Sequence, residues 1–436
     1  MFKYDFIILY ELRKREMENA VLLAMMLEKK GYKVAIEYRR SARMLFQKAD
    51  VVLAPFLYNN DDVMEFTLHF FHCCKKIINM QYEQLFLKLD EDQLNDLPRG
   101  FGKKALHISW GNSATERYKS AGINPSNIFE IGNIAIDLNT TKYRSVFLSK
   151  NDISKKFKLS PEKKWLLFIS SFSCAGLTKV ELEKWKKQTA STEYFAEISD
   201  KTQPLILDYF EKLAKTHPEV EIIYRPHPHE VSCDRMIKLE KKYANFKVIL
   251  DFSIRQWILI SDYISTWFST SLVDVFFAQK PCAIIRPISI MEEYDYPIYR
   301  NQTIISDYSD LENFLTKTDK YYNINPATIK KYYSNSFEAN TFEKLRDICI
   351  QVKHEKKYEY NFSKDLRTLP LFWTKLIKLY IYKFLLTLAE FIDYSKITPL
   401  KYRADVQNAY IEMHNYKDEI TFYRKMFSRI VNNEKT

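Results

Sequence analysis

Two short polar stretches carry the residues of this chain that could do chemistry. The first, Arg225–Glu230, reads RPHPHE and directly follows the apolar run 220–224. The second, Ser269–Ser271, reads STS and follows another apolar run at 263–265. Guanidinium, imidazole and hydroxyl groups can all donate hydrogen bonds to phosphate oxygens. The two stretches therefore predict a site for an anionic ligand, most simply the phosphate or diphosphate of a nucleotide.

The prolines of the first stretch oppose helix formation and stiffen the loop. A stiff loop would hold Arg225 where its guanidinium can form a forked pair with a phosphate. His227 could donate a hydrogen bond to the phosphate or to a leaving oxygen, and we assign His229 to donor binding as well. A structural role for one of these groups is the alternative, but packing alone accounts poorly for two histidines and an arginine at a strand end.

The second stretch precedes an apolar run, 272–278, that predicts a helix. Hydroxyl groups at a helix start can cap it and leave N–H groups for an anion, although an ordinary N-cap is the alternative. Asp274 lies one turn into this helix, where it could reach a ribose hydroxyl. No glycine follows Gly176, which excludes a glycine-rich phosphate loop in the second half of the chain.

The elements that must position these stretches alternate between strand and helix. Strand-like run 6–9 is followed by a helical pattern at 16–30, a helix-ending Gly31 and a strand at 32–37. A second series starts with the strand 165–169. Such alternation predicts an α/β fold with parallel sheets, in which ligands bind outside the carboxyl ends of the strands.

The polar stretch 149–164 separates the two series. We therefore predict a Rossmann-like acceptor domain at 1–150, a Rossmann-like nucleotide-donor domain at 151–352 and a helical C-terminal extension at 353–436, with a cleft between the two domains.

The extension contains two patterned segments. Apolar residues interrupted by charges at 369–392 predict either an amphipathic helix on a membrane surface or a helix packed across the two domains. Residues 402–430 carry apolar side chains at alternating spacings of three and four, which favours a short coiled coil and self-association. A terminal helix docked on its own domain is the alternative. The seam consists of Val406, Ala409, Met413, Tyr416, Ile420, Tyr423, Phe427 and Ile430.

Charge and cysteine content narrow the functional classes. The net charge of +11 favours an anionic partner, but no nucleic-acid-binding signature is present, so we predict no nucleic-acid partner. The six cysteines form no CxxC pair, which indicates a reducing cytoplasm.

We predict no metal site. The cluster His69, His72, Cys73 and Cys74 is interpreted as incidental polar residues. Asp90-Glu91-Asp92 matches a three-residue metal signature, and a solvated charge cluster is the simpler interpretation.

The order of several motifs resembles bacterial glycosyltransferases of the GT-B fold that build surface polysaccharides, and more distantly capsular Kdo transferases, sialyltransferases and teichoic-acid glycerophosphotransferases. The resemblance covers roughly residues 5–290. Its elements are Arg15-Glu16, Gly132–Asp137, Ser170–Ser173, Arg225–Pro228, Trp257, Ser269–Ser271 with Asp274, and Lys280-Pro281.

The resemblance implies roles for individual residues. His227 with Ser269, Thr270 and Ser271 would bind the phosphate and ribose of the donor, often a CMP-sugar, and Ser171 would contribute to the same site. Ile134-Ala135 departs from the Pro-Arg pattern expected after Gly132-Asn133, and Asp274 stands where glutamate is expected.

An inverting transferase also needs a general base for the acceptor hydroxyl. Glu11, Glu16 and Glu83 follow predicted strands of the first half, and Glu83 is preferred because Gln81–Gln84 resembles the acidic loop of the family.

Together with this resemblance, the sequence predicts a metal-independent, inverting glycosyltransferase without a cofactor. The enzyme would be peripheral to the inner face of the cytoplasmic membrane and would extend a capsule or lipopolysaccharide glycan. One alternative is a CDP-polyol-dependent polyol-phosphate transferase. A non-catalytic nucleotide-binding assembly protein and, more weakly, a nucleotide-sugar epimerase are the others.

Overall fold

The computed structural model describes residues 2–91, 96–186, 191–227, 230, 233–316, 324–388, 390–392 and 404–433. The chain forms two compact units. The first comprises Met1–Gln84, Leu94–Asp137 and Lys330–Thr436, and the second comprises Leu85–Gln93 and Leu138–Ile329. The C-terminal extension thus belongs to the first unit. The division of acceptor and donor binding between 1–150 and 151–352 stays a prediction.

Strands and helices alternate through the first third of the chain. They are β1 (Phe2–Tyr10), α1 (Arg13–Lys29), β2 (Val34–Tyr38), β3 (Gln47–Ala54), α2 (Asn60–Thr67), β4 (Leu68–His69), β5 (His72–Cys73), β6 (Ile77–Asn79), α3 (Lys88–Glu91), β7 (Leu106–Ser109), α4 (Asn112–Ser120), β8 (Ile128–Glu130) and α5 (Ile134–Asp137).

The alternation continues from residue 141 to residue 332. Its elements are α6 (Thr141–Arg144), α7 (Lys150–Phe157), β9 (Lys164–Ile169), α8 (Lys179–Lys186), α9 (Thr192–Thr216), β10 (Val220–Arg225), α10 (Asp234–Lys242), β11 (Phe246–Val248), α11 (Ile254–Ile260), β12 (Tyr263–Thr266), α12 (Leu272–Phe277), β13 (Cys282–Ile285), β14 (Ile304–Ile305), α13 (Tyr308–Thr316) and α14 (Pro326–Tyr332).

After residue 332 the described secondary structure is helical. Its elements are α15 (Thr341–His354), α16 (Phe362–Leu366), α17 (Phe372–Leu388), α18 (Ala404–Met413) and α19 (Tyr416–Asn433).

The first unit is built on a six-stranded parallel sheet with the order β2-β1-β3-β6-β7-β8. β1 lies between β2 and β3, so that Ile8 faces Ile36 on one side and Leu53 on the other. Residues 6–10 of β1 are almost fully buried, as expected for a strand covered on both faces. α1 follows β1 and ends close to Gly31, whose φ of +87° is the left-handed conformation that favours glycine.

The second unit is built on another six-stranded parallel sheet, with the order β11-β10-β9-β12-β13-β14. β9 pairs with β10 on one side and β12 on the other. Successive strands are added on one side up to β11, and the direction reverses when β12 returns beside β9. The carboxyl ends of strands at such a reversal are where open α/β sheets bind ligands.

The apolar seam of the last two helices packs inside the first unit. Ala409, Met413 and Phe427 are fully buried. Ion pairs fasten α19 to α1, with the Arg424 guanidinium 2.6 Å from Glu28. These contacts lie within one chain. The structure therefore has the alternative arrangement, a terminal helix docked on its own domain. The predicted coiled coil through 402–430 is corrected accordingly. The heptad spacing arose because a helix docked on another helix needs the same apolar stripe as a coiled coil.

α17 also packs on the first unit, against the one-turn helix at 42–46 and α18. Phe372, Leu376 and Leu386 are buried on its inner side. Among the described helices, none is both long and apolar enough to cross a membrane. The inner side also carries Lys383, whose ammonium group donates to the backbone carbonyls of Arg39 (2.8 Å) and Glu65 (3.4 Å).

Because Lys383 is buried, we expect the free energy of unfolding to rise at alkaline pH. Burial lowers the pKa of Lys383 from 10.5 to about 8. Between these pH values the unfolded chain binds more protons than the folded chain, so the free energy of unfolding increases with pH by up to about 1.4 kcal/mol per pH unit. Urea unfolding between pH 8 and 10.5 measures this slope.

Lys383→Met is expected to remove that part of the slope. Lys378→Met, at an exposed position of the same helix, is the matched control and should leave it unchanged. The charged groups that influence Lys383 are Glu65, Arg39, Arg40 and Glu37. Equal slopes in wild type and Lys383→Met would contradict the assignment.

Candidate active site

Three strand ends of the second unit meet at a cavity of about 300 Å³. We call it the donor cavity, after the donor binding that the sequence predicts for residues at these strand ends. Ser171 and Ser173 reach it from the loop after β9, and His227 from the loop after β10. Ser269 and Thr270 reach it from the turn after β12. The cavity thus lies at the carboxyl ends of the three strands around the reversal of strand order. Its volume is at the lower end of the range for small-molecule sites.

Aromatic side chains form one wall of the donor cavity. Phe268 and Tyr296 line it and stack with ring centroids 4.8 Å apart, and Phe195 lies next to Phe268 at 5.1 Å. Such flat apolar surfaces can stack against a nucleobase. The sequence patterns singled out none of these aromatic residues.

Arg286 supports the aromatic wall from behind. It is buried directly after β13 and forms a two-point ion pair with Asp295, at 2.6 and 2.9 Å. Its guanidinium lies over the Tyr299 ring at 4.3 Å. The pair Arg286-Pro287 at the end of β13 repeats the pair Arg225-Pro226 at the end of β10. This repeated pair is a sequence signal that could have identified Arg286.

Arg225 joins the end of β10 to a neighbouring loop. The residue is buried, and its guanidinium donates to the backbone carbonyls of Asp251 (2.8 Å) and Phe252 (2.5 Å). Phe252 has a φ of +65°, so the arginine holds a loop in an unusual backbone conformation. Arg225 is not among the residues that line the described cavity. The contacts seen here are structural, and a phosphate contact stays a prediction.

Glu230 anchors the loop that carries His227. One carboxylate oxygen accepts hydrogen bonds from the His227 backbone N–H (3.0 Å) and the Ser170 hydroxyl (2.5 Å). The other accepts from the Tyr224 hydroxyl (2.6 Å) and the Gln203 amide (3.1 Å). Burial raises the pKa of Glu230, and these four donors oppose that rise. His229 lies outside the described residues.

Glu230 was the last residue of the loop that sequence patterns singled out, yet they gave it no role. An acidic residue three positions after His227 in a proline-rich loop is the signal that was available. A carboxylate with four donors fixes both the loop and the strand that precedes it.

The Ser269–Ser271 turn is held by Tyr299. The Tyr299 hydroxyl accepts from the Ser269 N–H (2.6 Å) and donates to the Ser269 carbonyl (2.8 Å). The Ser271 N–H donates to the Ser269 hydroxyl oxygen at 3.2 Å. Two N–H groups of the turn are therefore already engaged in hydrogen bonds within the unit. Ser269 and Thr270 line the cavity, and Ser271 does not.

Asp274 lies in α12, the helix that follows that turn. Its carboxylate accepts from the Asn139 amide at 2.7 Å and lies 3.9 Å from the Arg255 guanidinium. Asp274 is not part of the cavity wall as described. The structure thus brings Ser171, His227, Ser269 and Thr270 together, while the ribose contact of Asp274 stays a prediction.

The candidate bases belong to the first unit. Glu16 is fully buried and accepts from the Glu11 N–H (2.7 Å) and the Arg15 guanidinium (2.7 Å). Burial raises the pKa of Glu16, while Arg15 lowers it. Glu83 pairs with Arg15 at 2.5 Å and keeps 64% of its side chain exposed. Of the two carboxylates, only that of Glu83 is exposed to solvent.

The Gly132–Asp137 motif is structural. The Asp137 carboxylate accepts from the N–H groups of Thr341 (2.6 Å) and Phe342 (3.3 Å) and thus caps α15. Burial raises the pKa of Asp137 to about 6. Gly132 has a φ of +99°, and a Cβ there would meet the Asn335 side chain at 2.7 Å. The motif secures the start of α15 within the first unit.

His69 and His72 join the β4–β5 hairpin to β3. His69 Nδ1 lies 2.8 Å from a backbone carbonyl of β3, and His72 Nε2 lies 2.9 Å from another. Burial lowers the pKa of His69 to about 4. Asp90 and Glu91 lie in α3, and Asp92 lies outside the described residues. In the part of the chain that the structure describes, no group of three or more His, Cys, Asp or Glu residues could hold a metal ion.

The matches of this chain to known proteins come from the comparison with solved structures. No protein-family model and no curated protein matches it. The wall teichoic acid polymerase TagF matches with a TM-score of 0.53 and 15% identity over 81% of this chain and 90% of that chain. A histidine-to-alanine variant of TagF matches with a TM-score of 0.54 and 13% identity, over 81% and 90%. A histidine-to-asparagine variant soaked with CDPG gives 0.53 and 13%, over 82% and 90%.

At such low identity these matches concern the fold, and they do not distinguish the capsule, Kdo or sialyl subgroups. They confirm the α/β fold class predicted from the sequence: the chain has a GT-B-type fold with a helical C-terminal region.

Proposed function

We propose that this chain is a transferase that binds the phosphate of a nucleotide-activated donor in the donor cavity. The observation that carries the proposal is the convergence of Ser171, His227, Ser269 and Thr270 from three strand ends on one cavity. These hydroxyl and imidazole groups can donate several hydrogen bonds to one phosphate group. The adjacent Phe268–Tyr296 wall supports placing the base of the nucleotide beside it.

The proposed chemistry uses the donor cavity to stabilise a leaving phosphate. As the acceptor hydroxyl oxygen bonds to the donor, the bond to the leaving nucleotide breaks and negative charge collects on its phosphate oxygens. Fixed hydrogen-bond donors placed around that charge lower the barrier. We assign this task to His227 and the hydroxyl groups, which can perform it without a metal ion.

The proton of the acceptor hydroxyl must pass to a base. We propose Glu83, because its carboxylate is exposed and oriented by Arg15. The acceptor would be a growing surface glycan, and the reaction would then occur at the inner face of the cytoplasmic membrane.

Two donors fit this proposal. With a CMP-sugar, the acceptor oxygen attacks the anomeric carbon and CMP leaves. With a CDP-polyol, the acceptor oxygen attacks the outer phosphorus and CMP also leaves, so the polyol arrives with a phosphate. The GT-B-type fold shared with the polymerase TagF, which has been solved with CDPG, supports testing the second donor alongside the first.

Donor binding is tested by calorimetry with CMP and CDP. We expect Ser269→Ala and Thr270→Val each to weaken binding by about ten-fold, because each loses one hydrogen bond to a charged group. Ser145→Ala, at an exposed position of the same unit, is the matched control. Unchanged affinity in both cavity variants would place the nucleotide elsewhere.

The reaction class is tested by the mass of the product. A mass increment without phosphate indicates glycosyl transfer, and one with phosphate indicates polyol-phosphate transfer. If no CMP-, CDP-, UDP- or GDP-linked compound binds, the proposed function is wrong and a non-catalytic assembly role is favoured.

A further inference from the structure

Helix α17 turns an apolar face outward. Its inner side is buried, but Trp373, Ile377 and Leu385 are 61%, 56% and 58% exposed. Ile381 and Leu388 are also exposed. These positions follow one another at intervals of three or four along the helix, so they lie on one face.

The tip of the β4–β5 hairpin extends this face. The Phe70 ring packs edge-on against Tyr380 at 4.7 Å and lies 6.1 Å from Phe384. Its neighbour Phe71 is 73% exposed. We call the surface made by Phe70, Phe71, Trp373, Ile377, Ile381 and Leu385 the α17 face. Soluble domains rarely leave so many large apolar side chains together in water, and such patches mark interaction sites.

The charged side chains of α17 itself are all basic. α17 contains three lysines and no aspartate or glutamate. Lys375 and Lys378 are exposed, and Lys375 also pairs with Asp61 at 2.9 Å. The Arg367 guanidinium lies 5.8 Å from the Trp373 ring. Basic groups beside an apolar, aromatic face are the composition that binds anionic bilayer surfaces.

We propose that the α17 face docks on a bilayer that contains anionic lipids, with α17 lying in the interface and not crossing it. A helix of 17 residues is about 25 Å long, and its lysine side chains can extend to the headgroups while the apolar face enters the bilayer. A second copy is the poorer occupant, because a two-fold contact would bring the lysines of both helices together without an acidic partner on α17. The proposal does not rest on the transferase assignment.

The test is co-sedimentation of the full chain with vesicles of phosphatidylcholine alone or with about one third phosphatidylglycerol. A triple variant should bind the vesicles at least ten-fold more weakly, because three apolar side chains no longer enter the bilayer. It combines Ile377→Gln, Ile381→Gln and Leu385→Gln. Point substitutions are needed because deletion of 369–393 would also remove buried Phe372 and Leu376.

Two further variants separate the contributions. Val180→Gln with Ile237→Gln changes exposed apolar residues of the second unit and should bind like wild type. Lys375→Gln with Lys378→Gln should weaken binding to anionic vesicles by about five-fold for each lysine. All variants should show the thermal unfolding of wild type, since the changed side chains are exposed.

Trp373 gives a direct readout of depth. Brominated lipids should quench part of the tryptophan fluorescence of wild type on binding, and Trp373→Phe should bind but lose that quenching. Wild type that stays in the supernatant with anionic vesicles overturns the proposal. So does a dimer in light scattering that the triple glutamine variant converts to a monomer, because the face would then join two copies. Transfer activity is not a readout, so failure here and failure of the proposed function are distinguishable.

Discussion

His227→Ala is expected to lower the rate of transfer by about two to four orders of magnitude. The imidazole lines the donor cavity together with the hydroxyl groups of Ser269 and Thr270. A ring N–H that contacts the leaving phosphate interacts more strongly as negative charge develops on that group in the transition state than it does in the bound donor. Its loss should therefore reduce kcat more than it raises the KM for the donor.

His217→Ala is the matched control, because His217 precedes β10 at the amino end of the same strand that His227 follows at the carboxyl end. Single-turnover kinetics with a CMP- or CDP-activated donor measure the rate. Near wild-type transfer by His227→Ala, with His217→Ala also unchanged, would remove His227 from the mechanism. Equal loss in both variants would indicate a general effect on the fold.

Glu230→Ala is expected to lower the stability of the second unit by about 3 kcal/mol and to weaken donor binding at least ten-fold. The substitution leaves Tyr224, Ser170 and Gln203 without their shared acceptor, and buried donors without partners are costly. It also releases the backbone N–H of His227, so the imidazole is no longer held at the cavity. Glu230 thus acts as a positioning residue.

Glu230→Gln separates the two effects. It keeps the size of the side chain but replaces one acceptor oxygen by an amide donor, which cannot serve the two donors on that side. We expect an intermediate loss of stability and of affinity, measured by urea unfolding and calorimetry. Glu219→Ala, at an exposed position before β10, is the control. Wild-type donor binding by Glu230→Ala would show that the loop is positioned by other contacts.

The positions of strands and the chemistry at their ends were readable from local patterns. The apolar run 165–169 becomes β9, and the helix after the Ser269–Ser271 turn begins at Leu272 as its pattern indicates. These features depend on residues that are neighbours along the chain, so a one-dimensional pattern contains them. The same holds for the end of α1 near Gly31, where a left-handed backbone is required.

The hydrogen-bond partners of individual polar side chains could not be predicted in this way. Arg225 and Asp274 looked like ligand-binding residues, but their observed partners lie far along the chain: the carbonyls of Asp251 and Phe252 for Arg225, and the amide of Asn139 for Asp274. Only the packed sheet brings these groups together. Asp137 gives the same lesson, since its partners Thr341 and Phe342 follow about 200 residues later.

The apolar stripes of the C-terminal helices show the same division. Apolar residues at spacings of three and four indicate that a helix has one apolar face, but they do not indicate which part of the protein packs against that face. For α19 the partner is α1 of the same chain, while α17 keeps an exposed face beside its buried one. Burial is a property of the assembled unit, so the tertiary structure alone decides it.

By itself, then, the sequence determined the α/β alternation and the polar loops RPHPHE and STS at strand ends, because strand, turn and proline preferences are local. The tertiary structure decided which of those loop residues face the donor cavity. It placed Ser171, His227, Ser269 and Thr270 there, and it turned Arg225 and Asp274 to structural partners. The physical reason is that a polar side chain in a folded unit takes the nearest available partner in space, and that partner is set by the order of the strands.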